Sequence, residues 1–211
     1  MKQLFLTSSV DEVVHDLVKH VDFSKGNKLV FILTAAEVEH GDKQWVKDDR
    51  QALIDAGFEV TDYTITNKTE SELRKDLDQY QFIYVEGGNT FYLLQQSQKS
   101  GFILVIQDLV NNQEKVYIGT SAGSIIAGPK LPEYLIVLDE PMDKDSIDAD
   151  AYNFVNFTIL PHWGSVGFRK KYLESRMETA YKIDQVPLVL LTDSQYVHVK
   201  DDWYQIIEVK K

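Results

Sequence analysis

The stretch VYIGTSAG, residues 116–123, puts a serine among small residues at the point where a buried strand is expected to end. The apolar run VYIG predicts a short strand, and the run AGSIIAG predicts a helix directly after it. The segment GTSAG matches G-x-S-x-G, in which small residues permit a sharp strand-to-helix turn with the serine at its apex. Alone this pattern is weak, because a tight turn with a capping serine would also produce it. The stretch therefore predicts a strand–turn–helix unit and makes Ser121 a candidate nucleophile.

Strand-like and helix-like segments alternate on both sides of this unit. The nearly continuous apolar run NKLVFILTAA (27–36) predicts a strand buried on both faces, whereas VDEVVHDLVKHV (10–21) has helical spacing. This alternation predicts an α/β fold with a doubly wound, mostly parallel sheet. The segments VPLVLLTD, QYVHVK and WYQIIEV predict a last strand and a C-terminal β-hairpin. Because no linker or repeat divides the sequence, residues 1–211 are expected to form a single domain.

Composition narrows the possible functions. The 211 residues are 44% hydrophobic, carry a formal net charge of −11 and include no cysteine. Without cysteine the chain has no disulfides, no thiolate metal ligands and no thiol nucleophile, and the spacing of its histidines does not suggest a metal site. We expect no metal or other cofactor. The acidic charge argues against nucleic acid, and the lack of a long apolar segment argues against a membrane partner, so a cytoplasmic protein is expected.

A second glycine turn is predicted at VEGGNT, residues 85–90, between the strand-like segment QFIYVE and another helix. The consecutive residues Gly87 and Gly88 allow backbone N–H groups to face an anion. A turn at a neighbouring strand end could thus act together with the N–H group of Ala122 to bind an oxyanion. The structural alternative is an ordinary turn in which Asn89 caps the following helix.

Among the five histidines, His162 is the candidate general base. It follows the apolar run FTIL and a proline at the C-terminal end of a predicted strand, where catalytic groups gather in open α/β sheets. A histidine that only hydrogen-bonds a backbone carbonyl is the alternative. The residues alone leave open which acid would orient this imidazole. The candidates between Ser121 and His162 are Glu133, Asp139, Glu140 and Asp143.

Three motifs in this order, GGNTF (87–91), GTSAGS (119–124) and LPHW (160–163), resemble the peptidase E family of serine peptidases. The resemblance covers nearly the whole chain. It implies a class I glutamine amidotransferase-like (flavodoxin-like) fold and hydrolysis of dipeptides or short peptides without a cofactor. It also implies Ser121 as the nucleophile, His162 as the general base, and the N–H groups of Gly88 and Ala122 as oxyanion donors.

The acid and the specificity residue of this family are harder to assign in this chain. In aspartyl dipeptidases the acid is an aspartate in a D-M-P segment before the histidine. The segment LDEPMD resembles that segment, which favours Asp139, with Glu133 and Glu140 as alternatives. Aspartyl dipeptidases read the substrate's aspartate with an arginine in a G-E-T-R segment. The corresponding stretch here is WGSVGFRKKYLESR, in which Arg169 is a weak candidate, so a preference for aspartyl substrates is not expected.

Two other kinds of function remain open at this point. One is a different serine hydrolase on the same scaffold, such as a cyanophycinase-like enzyme, an esterase or an amidase. The other is a non-catalytic binding protein that keeps the fold. The expected partner is a short peptide substrate, and the exposed edges of the predicted hairpin could pair with another copy to form a homo-oligomer.

Overall fold

A computed structural model describes residues 1–132, 134–135, 149–183 and 186–210. A seven-stranded sheet lies at its centre, with the strand order β3-β2-β4-β5-β1-β8-β9. The strands are β1 Gln3–Thr7, β2 Lys28–Ile32, β3 Glu59–Tyr63, β4 Phe82–Val85, β5 Val116–Thr120, β6 Thr158–Leu160, β7 Leu188–Leu190, β8 Gln195–Lys200 and β9 Trp203–Glu208. The α-helices are α1 Val10–Leu17, α2 Gln44–Asp55, α3 Glu70–Leu77, α4 Thr90–Ser100, α5 Phe102–Asn111, α6 Ala122–Ile125, α7 Arg169–Lys171 and α8 Met177–Ile183, with a π-helical turn Tyr172–Arg176 between the last two.

The first five strands of the sheet are mutually parallel, and β8 and β9 extend it as antiparallel strands beyond β1. Successive side chains of a strand point to opposite faces, so a strand covered on both sides must be apolar throughout. In β1, Leu4 and Leu6 pack into the core on one face while Phe5 packs into the core on the other. The predicted α/β fold with a mostly parallel sheet is confirmed.

Parallel pairing brings the carboxyl ends of β1, β2, β4 and β5 to one edge of the sheet. In register, Leu6 of β1 lies opposite Gly119 of β5, and Val85 of β4 lies opposite the same glycine from the other side. The chain segments that follow β4 and β5 are therefore neighbours in space. This arrangement brings the two glycine turns predicted from the sequence together at one edge.

The predicted last strand is β7, and the predicted C-terminal β-hairpin is formed by β8 and β9. Strand β7 pairs with β6 in a separate two-stranded parallel sheet, whereas β8 and β9 form the hairpin at the edge of the main sheet. Of the strand-like segment predicted at 131–143, Tyr134 and Leu135 are helical, and most of the remainder lies outside the described residues. Within the part of the chain that the structure describes, no helix is long and apolar enough to cross a membrane.

Candidate active site

Ser121 stands at the turn between β5 and α6 in a strained backbone conformation, with φ 46° and ψ −107°. A non-glycine residue tolerates such angles only where its surroundings enforce them. Here the backbone is packed so tightly that a Cβ atom on Gly119 would lie 2.6 Å from the Gly123 carbonyl oxygen. A Cβ atom on Gly123 would lie 2.1 Å from the carbonyl oxygen of Val85. The small residues of the predicted turn are thus sterically required, and they hold Ser121 at the edge of the sheet.

His162 reaches Ser121 from the end of β6. Its Nε2 atom lies 3.1 Å from the Ser121 Oγ atom, within hydrogen-bond distance. The His162 backbone has a positive φ of 58°, and its N–H group donates to the hydroxyl of Ser8, which follows β1. Phe168 stacks on the imidazole at a centroid distance of 4.4 Å. The ring is therefore fixed from its backbone and from one face.

Asp193 holds the other side of the imidazole. Its Oδ1 atom lies 2.7 Å from His162 Nδ1. Because a carboxylate can only accept, Nδ1 carries the proton and Nε2 is left with a lone pair facing the Ser121 hydroxyl. This is the tautomer that a general base toward serine requires.

The acid predicted from the sequence is not the carboxylate found against His162. Asp139, together with the alternatives Glu133 and Glu140, lies outside the described residues. Asp193 was not among the candidates, which were taken only from the segment between the serine and the histidine. Its contact follows from a strand pairing that the sequence did not indicate: Leu160 of β6 lies opposite Leu190 of β7, and His162 and Asp193 follow these residues by two and three positions.

The second glycine turn lies beside the serine, as the sequence indicates. A Cβ atom on Gly87 would come within 3.1 Å of the Ser121 Cβ atom, and Gly87 and Gly88 both line the cavity that Ser121 faces. Among the described residues, no hydrogen bond uses the backbone N–H groups of Gly88 or Ala122. Asn89 also lines the cavity, but its side chain accepts from the N–H group of Tyr92 and so caps α4.

Two arginines of the segment WGSVGFRKKYLESR differ in their position relative to the cavity. Arg169 is exposed at the start of α7 and does not line the cavity. Arg176 does line it, and it is only 6% exposed, with its guanidinium over the rings of Tyr134 and Tyr172.

The cavity above Ser121 and His162 has a volume of about 680 Å³. Its lining includes two cationic residues, Lys171 and Arg176. It also includes five acidic residues, namely Asp11, Glu39, Asp48, Asp49 and Glu86. Among the described residues, no group of three or more His, Asp or Glu side chains is arranged to hold a metal ion.

Two of these carboxyl groups are buried and share one tyrosine. The Tyr84 hydroxyl lies 2.9 Å from Asp49 Oδ2 and 3.3 Å from Glu86 Oε2. Burial raises the pKa of Asp49 to about 7, with the nearby Asp11 charge adding to the effect. Burial, together with the charge of Asp49, raises the pKa of Glu86 well above its ordinary value. Desolvation disfavours the charged form of each acid, so this pair keeps at least one proton under neutral conditions.

A strained serine at the edge of a parallel sheet, in contact with a histidine that is held by a carboxylate, is the arrangement found in serine hydrolases. Comparison with known proteins gives the family. A model of peptidase family S51 matches residues 4–207, and the chain belongs to that family. The protein is therefore a peptidase.

Several relatives agree with this assignment. The uncharacterized peptidase Lin0382 of Listeria innocua is 34% identical over 172 residues, which cover 81% of this chain and 80% of the relative. Peptidase E of Haemophilus influenzae is 30% identical over 107 residues, or 51% of this chain and 46% of that protein. A crystal structure from Listeria monocytogenes, of a protein provisionally assigned as peptidase E, superposes with a TM-score of 0.82 at 28% identity and covers both chains completely. A peptidase from an acI-B1 actinobacterium has the same fold, with a TM-score of 0.70 at 17% identity over 99% of this chain and 88% of that one.

Proposed function

We propose that this protein is a serine peptidase that hydrolyses dipeptides or other short peptides with the triad Ser121, His162 and Asp193. The observation that carries the proposal is the continuous chain of contacts from Ser121 Oγ to His162 Nε2 and from His162 Nδ1 to Asp193. A serine hydroxyl is a poor nucleophile until a base accepts its proton, and this chain of contacts supplies that base in the correct tautomer.

In the proposed reaction, Ser121 Oγ attacks the carbonyl carbon of the scissile bond while its proton moves to His162 Nε2. The Asp193 carboxylate stabilises the resulting imidazolium. The developing oxyanion is bound by the N–H groups of Gly88 and Ala122, which are available for this role. His162 then gives its proton to the leaving amine. Water attacks the acyl-enzyme by the same route and releases the second product.

A fluorophosphonate probe tests this proposal on the native protein. We expect a single covalent adduct, mapped to Ser121 by peptide mass spectrometry, and no adduct after heat denaturation. Cleavage assays should then show hydrolysis of unactivated short peptides, and not only of the intrinsically more reactive esters with the same acyl group. No labelling of the folded protein, or labelling of another serine, would overturn the proposed mechanism.

The charge distribution of the cavity supports a short, charged peptide as the substrate. Arg176 is a nearly buried cation on the cavity wall, and its guanidinium carbon lies 5.9 Å from the centroid of the Tyr134 ring and 5.3 Å from that of Tyr172. A planar guanidinium binds carboxylates through two parallel hydrogen bonds. We therefore assign to Arg176, and not to Arg169, the binding of a substrate carboxylate.

Replacing Arg176 by methionine should lower kcat/KM about 10- to 100-fold for peptides that carry the recognised carboxylate, because a hydrogen bond to a charged group is lost. Peptides with an amide in place of that carboxylate should change much less. The comparison uses aspartyl and asparaginyl peptides and their C-terminal amides. The exposed Arg169→Met variant is the matched control. Equal losses for acidic and neutral peptides would show that Arg176 has only a structural role.

A further inference from the structure

The mechanism proposed above uses neither of the two buried acids, although one of them, Glu86, adjoins the Gly87–Gly88 turn. Glu86 is fully buried at the end of β4, and its Oε1 atom accepts the N–H group of Gly87 at 2.6 Å. The backbone of Glu86 is itself fixed, because its N–H group donates to the Ile32 carbonyl. The Glu86 carboxyl group is thus hydrogen-bonded to Gly87, the first residue of the turn that faces Ser121.

The hydrogen bonds around Glu86 determine where its proton lies. Tyr84 has one hydroxyl proton, and the nearer acceptor is Asp49 at 2.9 Å. Asp49 Oδ1 already accepts the N–H group of Asp11. The carboxyl groups of Asp49 and Glu86 also hydrogen-bond each other, which requires one of them to donate. All contacts are satisfied when Glu86 is neutral and donates to an ionised Asp49.

We propose that Glu86 is a positioning residue that works as a neutral carboxylic acid and holds the Gly87–Gly88 turn in the geometry needed to bind the oxyanion. Ionisation of Glu86 would place two carboxylates in contact in a buried site, and their repulsion would displace the turn that Glu86 anchors. The role is indirect, since Glu86 acts on the reaction only through the backbone of Gly87 and Gly88. The inference rests on the proposed serine mechanism for its effect on rate.

Burial and the charge of Asp49 favour the neutral form of Glu86 and outweigh the hydrogen bonds from the Gly87 N–H group and the Tyr84 hydroxyl, which lower its pKa. Tyr84 of its own strand and Asp49 of α2 contact it directly, and Asp11 of α1 adds negative charge behind Asp49. Thr120 of β5 hydrogen-bonds Tyr84, and the carboxylates of Glu39 and Asp48 line the same cavity. No cation of the described residues is among the groups that shift the pKa of Glu86.

Two substitutions separate the contribution of shape from that of charge. Glu86→Gln keeps an acceptor for Gly87 and a donor for Asp49 without an ionisable proton, so its rate of fluorophosphonate labelling should stay close to that of the wild type. Glu86→Ala removes the anchor, and its labelling rate should fall about 10- to 100-fold because the turn is misplaced.

The wild-type rate of labelling should decline at alkaline pH, and the glutamine variant should lack this decline. An uncharged probe keeps substrate ionisation out of the profile, and Glu59→Gln on the exposed side of β3 is the control.

Two measurements test the inference without using activity. At mildly alkaline pH, where ordinary carboxyl groups are ionised, infrared spectra of the wild type should show a carboxylic-acid band that Glu86→Gln lacks. Amide exchange of Gly87 should be faster in Glu86→Ala than in the wild type. An absent acid band, or a folded glutamine variant as slow as the alanine variant, would overturn the neutral-acid role. If Glu86→Ala labels as fast as the wild type, the positioning role is wrong, whereas a wild type that never labels contradicts the serine mechanism alone.

Discussion

Replacing Ser121 by alanine is expected to lower kcat about 10⁶-fold, and replacing His162 by alanine should cost nearly as much. The two groups act as one unit, because Ser121 is not nucleophilic without the base and His162 has no proton to accept without the hydroxyl. The double variant should therefore be no slower than either single variant. The oxyanion donors and substrate binding would supply the activity that remains.

The measurement is steady-state hydrolysis of a short peptide, with thermal unfolding recorded for each variant. Ser71→Ala on α3 and His15→Ala on α1 are suitable controls, because both side chains are exposed. The melting temperatures of the Ser121 and His162 variants should stay near that of the wild type, since the His162 ring sits at a strand end. Multiplicative losses in the double variant would contradict the concerted role.

The sequence predicted that Ser121, His162 and the two glycine turns each follow a strand. Because β4 and β5 pair in parallel, their carboxyl ends, and with them the two glycine turns, meet at one edge of the main sheet. The contact between His162 and Ser121 does not follow from that rule, because β6 belongs to the separate two-stranded sheet, and only the structure shows it. The steric demand at Gly123, which is set by the Val85 carbonyl on a different strand, could be expected only in general form.

The acid could not be assigned in the same way, because its candidates were taken from the segment between Ser121 and His162. Asp193 follows β7, which the sequence predicted as a last strand without indicating its partner, and the structure pairs β7 with β6. That pairing depends on tertiary packing and not on local pattern. Arg176 was not among the sequence candidates, because a charged residue in a helical segment is expected to be exposed and burial over tyrosine rings cannot be read from spacing.

The buried pair Asp49 and Glu86 shows a further limit of sequence reasoning. Asp49 belongs to α2, where its neighbours Asp48 and Arg50 suggest a solvated face. The structure instead turns Asp49 against Tyr84, and only this contact reveals that two acids share a buried site beside the glycine turn. The local sequence predicts that Glu86 lies at a strand end. Whether Glu86 is protonated depends on Asp49, which lies 37 positions earlier in the chain.

Replacing Asp193 by asparagine is expected to lower kcat about 10⁴-fold while leaving KM nearly unchanged. The asparagine amide can donate to His162 Nδ1, which moves the imidazole proton to Nε2 and removes the lone pair that must accept from Ser121. The geometry would be preserved and the tautomer would be wrong. Asp193 is 38% exposed at its side chain, so the substitution should have little effect on the free energy of unfolding.

The comparison that decides this assignment sets Asp193→Asn beside Asp139→Asn, Glu133→Gln and Glu140→Gln, with Asp202→Asn in the exposed β8–β9 turn as control. Only the change at Asp193 should produce the large loss of kcat, because only that carboxylate is found against His162 in the described structure. The parallel pairing of β6 and β7 gives a physical reason for this outcome, since it fixes the backbone positions from which both side chains extend. The opposite outcome would be a large loss of kcat in the Asp139 variant and less than about a tenfold loss in the Asp193 variant. The residue that orients His162 would then lie in the segment before the histidine, and the contact between Asp193 and His162 would be an ordinary ion pair of modest energy.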